Sequence, residues 1–469
     1  MDLSYSVEKD KESQHVIHYD NSQRTSCRTA DTTTADKMED ECSSCHAVEI
    51  SILAGAYQDT PSSTLKTDGN DMTKKKSGFI QSIFNTINLL AGVGILAIPL
   101  GFMYAGWVIS LILFVFSTVM TIYTANILGR CLDAYPEAQT IGDLAHNAFG
   151  QRGRFFISAI FWAELITCSV GLVVLLTDGL ISLFPNIDPF LIRTITFLIL
   201  TPMLFLPIRH LAYTSLIGIL SVLCIAVVLT IDGATKMTSP GSLIIPADTA
   251  SWPENWMIFP RCIGLFMAAL SGTACLPSIY RDMENPKQYT SMVYWGYMIT
   301  ALIFLTIGVA GYRMFGSGTM QEVTQNVMMI PEYNQGMNQV AVWLFALSPI
   351  VKYGLILHPV NLSWQLALIR QPSIEAWFYR HPWGKQSVIV VGKMMVSALV
   401  VLLACGIPRF DRIMSFFGAC FSYIISGLFP TLCYLKLFGH IPLWEKIILY
   451  ALFFLCLIMS IVGTIWTFL

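Results

Sequence analysis

Two ionisable side chains stand inside long apolar stretches of this 469-residue chain: Glu164 in "FWAELITCSVG" and Lys352 in "LSPIVKYGLILHP". Taking a charge out of water is costly, so an ionisable residue within a membrane-length segment is a functional candidate by default. A carboxyl among apolar neighbours can hold and release a proton, which makes Glu164 a candidate for proton coupling. The competing reading is a hydrogen-bonded carboxylate that packs helices. Lys352 must snorkel to an interface, lose its proton, or stand where a cation would stand. Ser348 and His358 flank it by about one turn or more, and either can simply pack or cap.

Backbone groups offer a second kind of chemistry. "LLAGVGILAIP" (89–99) carries Gly92, Gly94 and, five residues on, Pro99; "LSGTACLPSIY" (270–280) carries Gly272 amid small and hydroxylated residues and, five residues on, Pro277. A helix in lipid satisfies its backbone internally, and irregular backbone is tolerated there only where protein or a water-filled cavity covers it. Paired interruptions therefore predict a cavity, the alternative being glycines that merely let another helix pack closely. Broken helices expose amides at half-helix N-termini, which bind a carboxylate, and carbonyls at C-termini, which bind an ammonium or a cation. A zwitterionic amino acid presents both groups on one carbon. Gly92 and Gly94 would allow close backbone approach to its carboxylate, and Ser271, Gly272 and Thr273 would supply amide and hydroxyl contacts from the facing helix.

The elements that must position these residues are membrane helices. The chain is 54% hydrophobic and 12% charged, against about 25% charged residues in ordinary soluble domains. Its apolar windows run to roughly twenty residues, which excludes the short alternating strands of an outer-membrane barrel. The expected fold class is an all-α polytopic membrane protein with about eleven spans, at roughly 79–100, 106–127, 154–182, 190–208, 212–231, 260–280, 292–314, 338–365, 387–405, 410–437 and 445–468. The two interrupted spans are five apart, so they enter from opposite faces, as in an inverted-topology repeat: helices 1–5, then 6–10, with helix 11 peripheral. Residues 1–76 are polar and read as a disordered cytosolic tail ahead of a transporter domain over 77–469. With the tail cytosolic, Lys74, Lys75, Lys76, Arg130, Arg152, Arg154, Arg209, Arg281, Lys287, Arg370, Arg380, Lys385, Lys436 and Lys446 fall on the cytosolic side, and the positive-inside rule is met.

Other signals are weak. "CSSCH" (42–46) matches a haem-attachment or metal-ligand spacing but lacks the compact module either would need, and it reads as a chance match. The net charge of -2 is uninformative about partners, and no basic patch along the chain suggests nucleic acid. No cofactor, metal site or catalytic residue is expected, since no paired carboxylates, serine triad or histidine-rich constellation stands in the spans. Asp178, Asp232, Lys393 and the "PRFDR" cluster (408–412) lie near span ends and read as interfacial anchors. Arg281, Asp282 and Glu284 read as loop charges that can form gates.

Taken in order, "NLLAGVGILAIPLGFMYAGW", "LPIRHLAYTSLIG", "SGTACLPSIYRDMENPKQY", "GYRMFGSGTMQEVTQNV" and "SPIVKYGLILHPV" make residues 79–469 resemble the amino acid/auxin permease family, within it the vacuolar and the vesicular inhibitory amino acid transporters. The resemblance implies a LeuT-like 5+5 inverted repeat with helices 1 and 6 broken, proton-coupled amino acid transport by alternating access, and a vacuolar or lysosomal membrane in preference to the plasma membrane. It implies substrate binding by Gly92, Val93 and Gly94 with Ser271, Gly272 and Thr273. Sodium-coupled relatives of that architecture hold an ion between spans one and eight, and a lysine at Lys352 would replace it and favour protons. The expected partners are an amino acid substrate, protons and the lipid bilayer. "ACLPSIY" departs from the bulkier or more hydroxylated run of many members, so substrate preference does not carry over. An amino acid sensor or scaffold on an endomembrane, and an exporter of an amino-acid-derived metabolite, are the alternatives.

Overall fold

The first apolar stretch forms two helices where a simple span would form one. In the computed structural model, residues 76–184, 186–206, 215–369, 371–406 and 409–469 are described. The expected disordered tail with its CSSCH run, and most of the "LPIRHLAYTSLIG" block, lie outside them. Helix α1 (Phe79–Leu90) stops at Ala91, whose N–H still donates to the Ile87 carbonyl, and Gly92 is extended. A short 3-10 turn (Val93–Ala97) leads into α2 (Ile98–Ala134), with Pro99 in the first turn. Proline suits that position because its missing N–H would have no partner in a first turn anyway.

Helix α2 is itself kinked at Gly106, where φ is 70°. The N–H groups of Trp107 and Val108 donate to the carbonyls of Ala250 and Ser251, and a Cβ on Gly106 would lie 2.7 Å from the Trp252 backbone. Both the positive φ and the close approach require glycine here. The kink divides the end of span one from span two, at the boundary expected from the sequence.

Helix α3 (Ile141–Leu183) starts from a capping box in which Thr140 and Asp143 satisfy each other's backbone N–H. It bends at Gly150 and carries Glu164. Helices α4 (Pro189–Met203) and α5 (Ser215–Thr235) follow. The sixth stretch repeats the design of the first: α6 (Arg261–Ala269), a break, a 3-10 turn (Thr273–Cys275), and α7 (Leu276–Asp282) with Pro277 in its first turn. Next come α8 (Tyr289–Phe315), the short α9 (Val323–Met329), α10 (Gln335–Ile369) bearing Lys352, α11 (Pro372–Arg380) and α12 (Pro382–Gly406). Span ten is built from α13 (Phe410–Phe416), two π-helical stretches (Phe417–Ser422 and Ile424–Leu428) and α14 (Phe429–Leu437); α15 (Leu443–Phe468) ends the chain.

Among the described residues nine helical stretches are long and apolar enough to cross a membrane; two shorter apolar helices, Phe79–Leu90 and Phe190–Met203, fall in the expected first and fourth spans. The count of eleven depends on reading those two as spans. Burial orders the elements: 78% of the apolar window of span ten is buried and 67% of that of Arg261–Asp282, against 17% in α12 and 22% in α15. The broken sixth span and span ten are therefore central, and α12 and α15 peripheral, with Met395, Leu402, Phe454 and Ile458 exposed. The intact halves of the broken spans are held together by aromatic packing: Phe102 of α2 meets Phe266 of α6 edge to face at 5.7 Å. Such a pair contributes about 0.5–1.5 kcal/mol beyond its area.

Candidate substrate and proton site at the helix breaks

The two breaks lie against each other. A Cβ on Gly94 would sit 2.8 Å from the Ala269 backbone nitrogen at the end of α6, and a Cβ on Gly272 would sit 3.1 Å from side-chain carbons of Leu89 and Leu90 at the end of α1. The glycines of the first break have different surroundings. Gly94 is where two backbones cross, whereas a Cβ on Gly92 would meet nothing closer than the Leu90 carbonyl oxygen at 3.6 Å. Val93 begins the short turn between Gly92 and α2.

Each break is met by one of the ionisable residues. Glu164, 5% exposed, accepts a hydrogen bond from Ser271 Oγ (3.1 Å) in the sixth-span break and another from Ser422 Oγ (3.2 Å) in span ten. Both bonds go to Oε1, while the buried Oε2 has no partner. The Lys352 ammonium donates to the carbonyl of Ala91, the first residue beyond α1. This carbonyl stands at a helix C-terminus, where backbone oxygens lack intrahelical donors and carry partial negative charge. Room for the ammonium comes from α5: a Cβ on Gly218 would lie 3.2 Å from Lys352 Nζ and 3.0 Å from the Asn88 amide oxygen. That Asn88 oxygen is buried without a partner. Thr273 is buried, and its hydroxyl lies 3.5 Å from that of Tyr297 on α8.

Glu164 and Lys352 are thus brought to the same pair of breaks but not into contact. Cys168 stands one turn beyond Glu164 on α3. Among the described residues no group of three His, Cys, Asp or Glu side chains is placed to hold a metal ion.

Residues that sequence reading set aside as loop or anchor charges tie the ends of the broken spans. Arg281, on the last turn of α7, donates to the carbonyls of Leu132 (3.1 Å), Tyr135 (3.0 Å) and Ala138 (2.7 Å) at and beyond the end of α2. Tyr280 beside it hydrogen-bonds Asp133, and Ser77 ahead of α1 bonds Asp282. At the other end of span one, Tyr104 donates to Asp411 (3.0 Å), which is 1% exposed and lies 3.5 Å from Arg409. Asp411 is a buried partner of span one and its exposure is not that of an anchor; only its closeness to a span end was visible in the sequence. Ser422 was also missed, because a lone serine in an apolar run carries no spacing signal.

A helical membrane protein with two facing broken spans, each met by an ionisable side chain, has the layout of a secondary transporter. Solved structures agree at the level of the fold. The chain is similar to a substrate-bound, outward-open Na+-coupled sialic acid symporter (TM-score 0.51, 13% identity, 91% of this chain and 96% of that one covered). It is also similar to a manganese transporter of Eremococcus coleocola (TM-score 0.50, 13% identity, 86% and 88% covered). The fold is LeuT-like.

Sequence relatives narrow the class. The chain is similar to the Arabidopsis thaliana amino acid transporters AVT1B (31% identity over 392 residues, 80% of this chain and 68% of the relative) and AVT1C (30% over 406 residues, 83% and 68%). The profile of the transmembrane amino acid transporter protein family matches residues 75–469. The chain belongs to that family, the amino acid/auxin permeases; it is an integral, multi-pass membrane protein and a transporter by kinship, not an enzyme.

Proposed function

We propose that the protein moves amino acids across an endomembrane of the vacuolar or lysosomal kind by proton-coupled alternating access, with the substrate held between the two breaks. The observation that carries this is the opposite charge at the two breaks: a lysine closes the carbonyl end of α1, and a carboxyl takes the hydroxyl of Ser271. Gly92, Val93 and Gly94 line one side of the substrate position and Ser271, Gly272 and Thr273 the other. Glu164 carries the proton, and Lys352 supplies a fixed positive charge that does the work of a bound cation. Alternating access is the exchange of two sets of ties, Tyr104–Asp411 at one end and Arg281, Tyr280–Asp133 and Ser77–Asp282 at the other. One set opens while the other holds.

Purified protein in liposomes with an imposed pH gradient, offered each of the twenty amino acids, tests this directly. Uptake of one or a few amino acids, abolished by a protonophore, is expected. Saturable binding of an amino acid without flux under any gradient would overturn the transport reading in favour of a sensor.

A further inference from the structure

The wide turns of span ten stand beside the proton-carrying carboxyl and have no part in the function so far. Five- and six-residue π-helical stretches are rare and recur at functional sites. Ser422 closes the first of them and is fully buried. Its single hydroxyl proton has two acceptors: Glu164 Oε1 at 3.2 Å and the carbonyl of Phe417, five residues back in the same stretch, at 3.4 Å.

We propose that Ser422 is a positioning residue that ties the protonation of Glu164 to the backbone of span ten. The inference rests on Glu164 being the proton carrier. A charged carboxylate is the stronger acceptor, since hydrogen bonds to ionised groups are roughly twice as strong as neutral ones. The hydroxyl therefore turns to Glu164 while that group is ionised. Once Glu164 takes a proton its pull weakens, and the same hydroxyl turns to the Phe417 carbonyl, closing a loop within the wide turn.

What happens in that turn is felt in the sixth span. A Cβ on Gly418 would lie 1.9 Å from the Gly264 carbonyl oxygen, and one on Gly264 would lie 2.0 Å from the Ser415 carbonyl oxygen, so the backbones of span ten and α6 touch directly. Ser271, at the end of α6, holds Glu164 from the other side. The carboxyl thus sits between two elements that are also in contact with each other. Among the described residues the other titratable groups that interact with it are Cys168 on α3 and Cys275 in the turn before α7. None of the described basic side chains pairs with it, so the two serines dominate its polar surroundings.

The test is an infrared pH titration of the full chain in liposomes, with the protonated-carboxyl band lost in Glu164→Gln taken as that of Glu164. Ser422→Ala removes one of two donors to the ionised form, so the midpoint of that band should rise by about one pH unit, and the pH at which uptake is half-maximal should rise with it. Ser422→Thr, which keeps the hydroxyl, should restore both. Ser422→Cys, a weaker donor of similar size, should shift them in the same direction by less and carries the test if the alanine variant does not fold. Ser422 variants that titrate as the parent does would overturn this inference while leaving Glu164 as the proton carrier. A titration in which Glu164→Gln removes no band would overturn both.

Discussion

The two breaks share one design and are completed with opposite charges. Each has an apolar helix, a glycine ahead of a short 3-10 turn, and a helix with proline in its first turn. In the first break an ammonium from α10 meets a carbonyl; in the sixth a carboxyl from α3 meets a hydroxyl. At the end of α1 the backbone sets the sign, presenting an oxygen that wants a donor; in the sixth-span break a side chain sets it, the Ser271 hydroxyl donating to Glu164. An inverted repeat places the same interruption on both sides of the site, and the ionisable residues of α3 and α10 make the two sides chemically different.

The comparison breaks first at Lys352. Lys352→Met leaves the Ala91 carbonyl without its donor and removes the fixed charge, and uptake in liposomes should fall by about 100-fold, near the upper end for losing a hydrogen bond to a charged group. Glu164→Gln keeps an acceptor for Ser271 and Ser422 but carries no proton. Accumulation driven by a pH gradient should fall by about tenfold or more while exchange of amino acid across the membrane stays within about threefold of the parent. A Glu164→Gln protein that still accumulates substrate would make the carboxyl a packing group.

The glycines sharpen the contrast. Gly94→Ala forces a methyl into the α6 backbone and should destabilise the protein by about 1–3 kcal/mol, read as a lower melting temperature in detergent. Gly92→Leu meets no such obstacle and should leave the melting temperature alone while abolishing substrate binding. Equal thermal losses in both would mean that the first break is packed throughout. The smallest effect is expected from Tyr297→Phe, which removes a long hydroxyl contact to Thr273; stability should change by no more than about 0.5 kcal/mol.

Much of this was legible in the sequence because bilayer physics writes it there. Span length, and the glycine and proline punctuation of spans one and six, follow from the need to satisfy every backbone group in lipid, and each interruption falls where the punctuation puts it. Glu164 and Lys352 stood out because charge is rare in such stretches. Their partners did not. That the Ala91 carbonyl receives Lys352, or that Ser422 meets Glu164 across 258 residues, depends on how distant helices cross. Sequence spacing carries no trace of that. The surroundings of Gly94 were equally hidden: close helix packing and close substrate approach demand the same residue, and the 2.8 Å approach to Ala269 is visible only in the fold. Asp411 was misread for the same reason, since nearness to a span end looks alike whether the side chain faces solvent or a neighbouring helix.

The central claim is that a fixed lysine charge between spans one and eight makes protons, rather than sodium, the coupling ion. Liposomes holding the protein can be given either a sodium gradient at uniform pH or a pH gradient without sodium, and uptake of the preferred amino acid measured under each. Uptake driven by the pH gradient and indifferent to sodium is the expected result. Uptake driven by sodium and unchanged between pH values would contradict it.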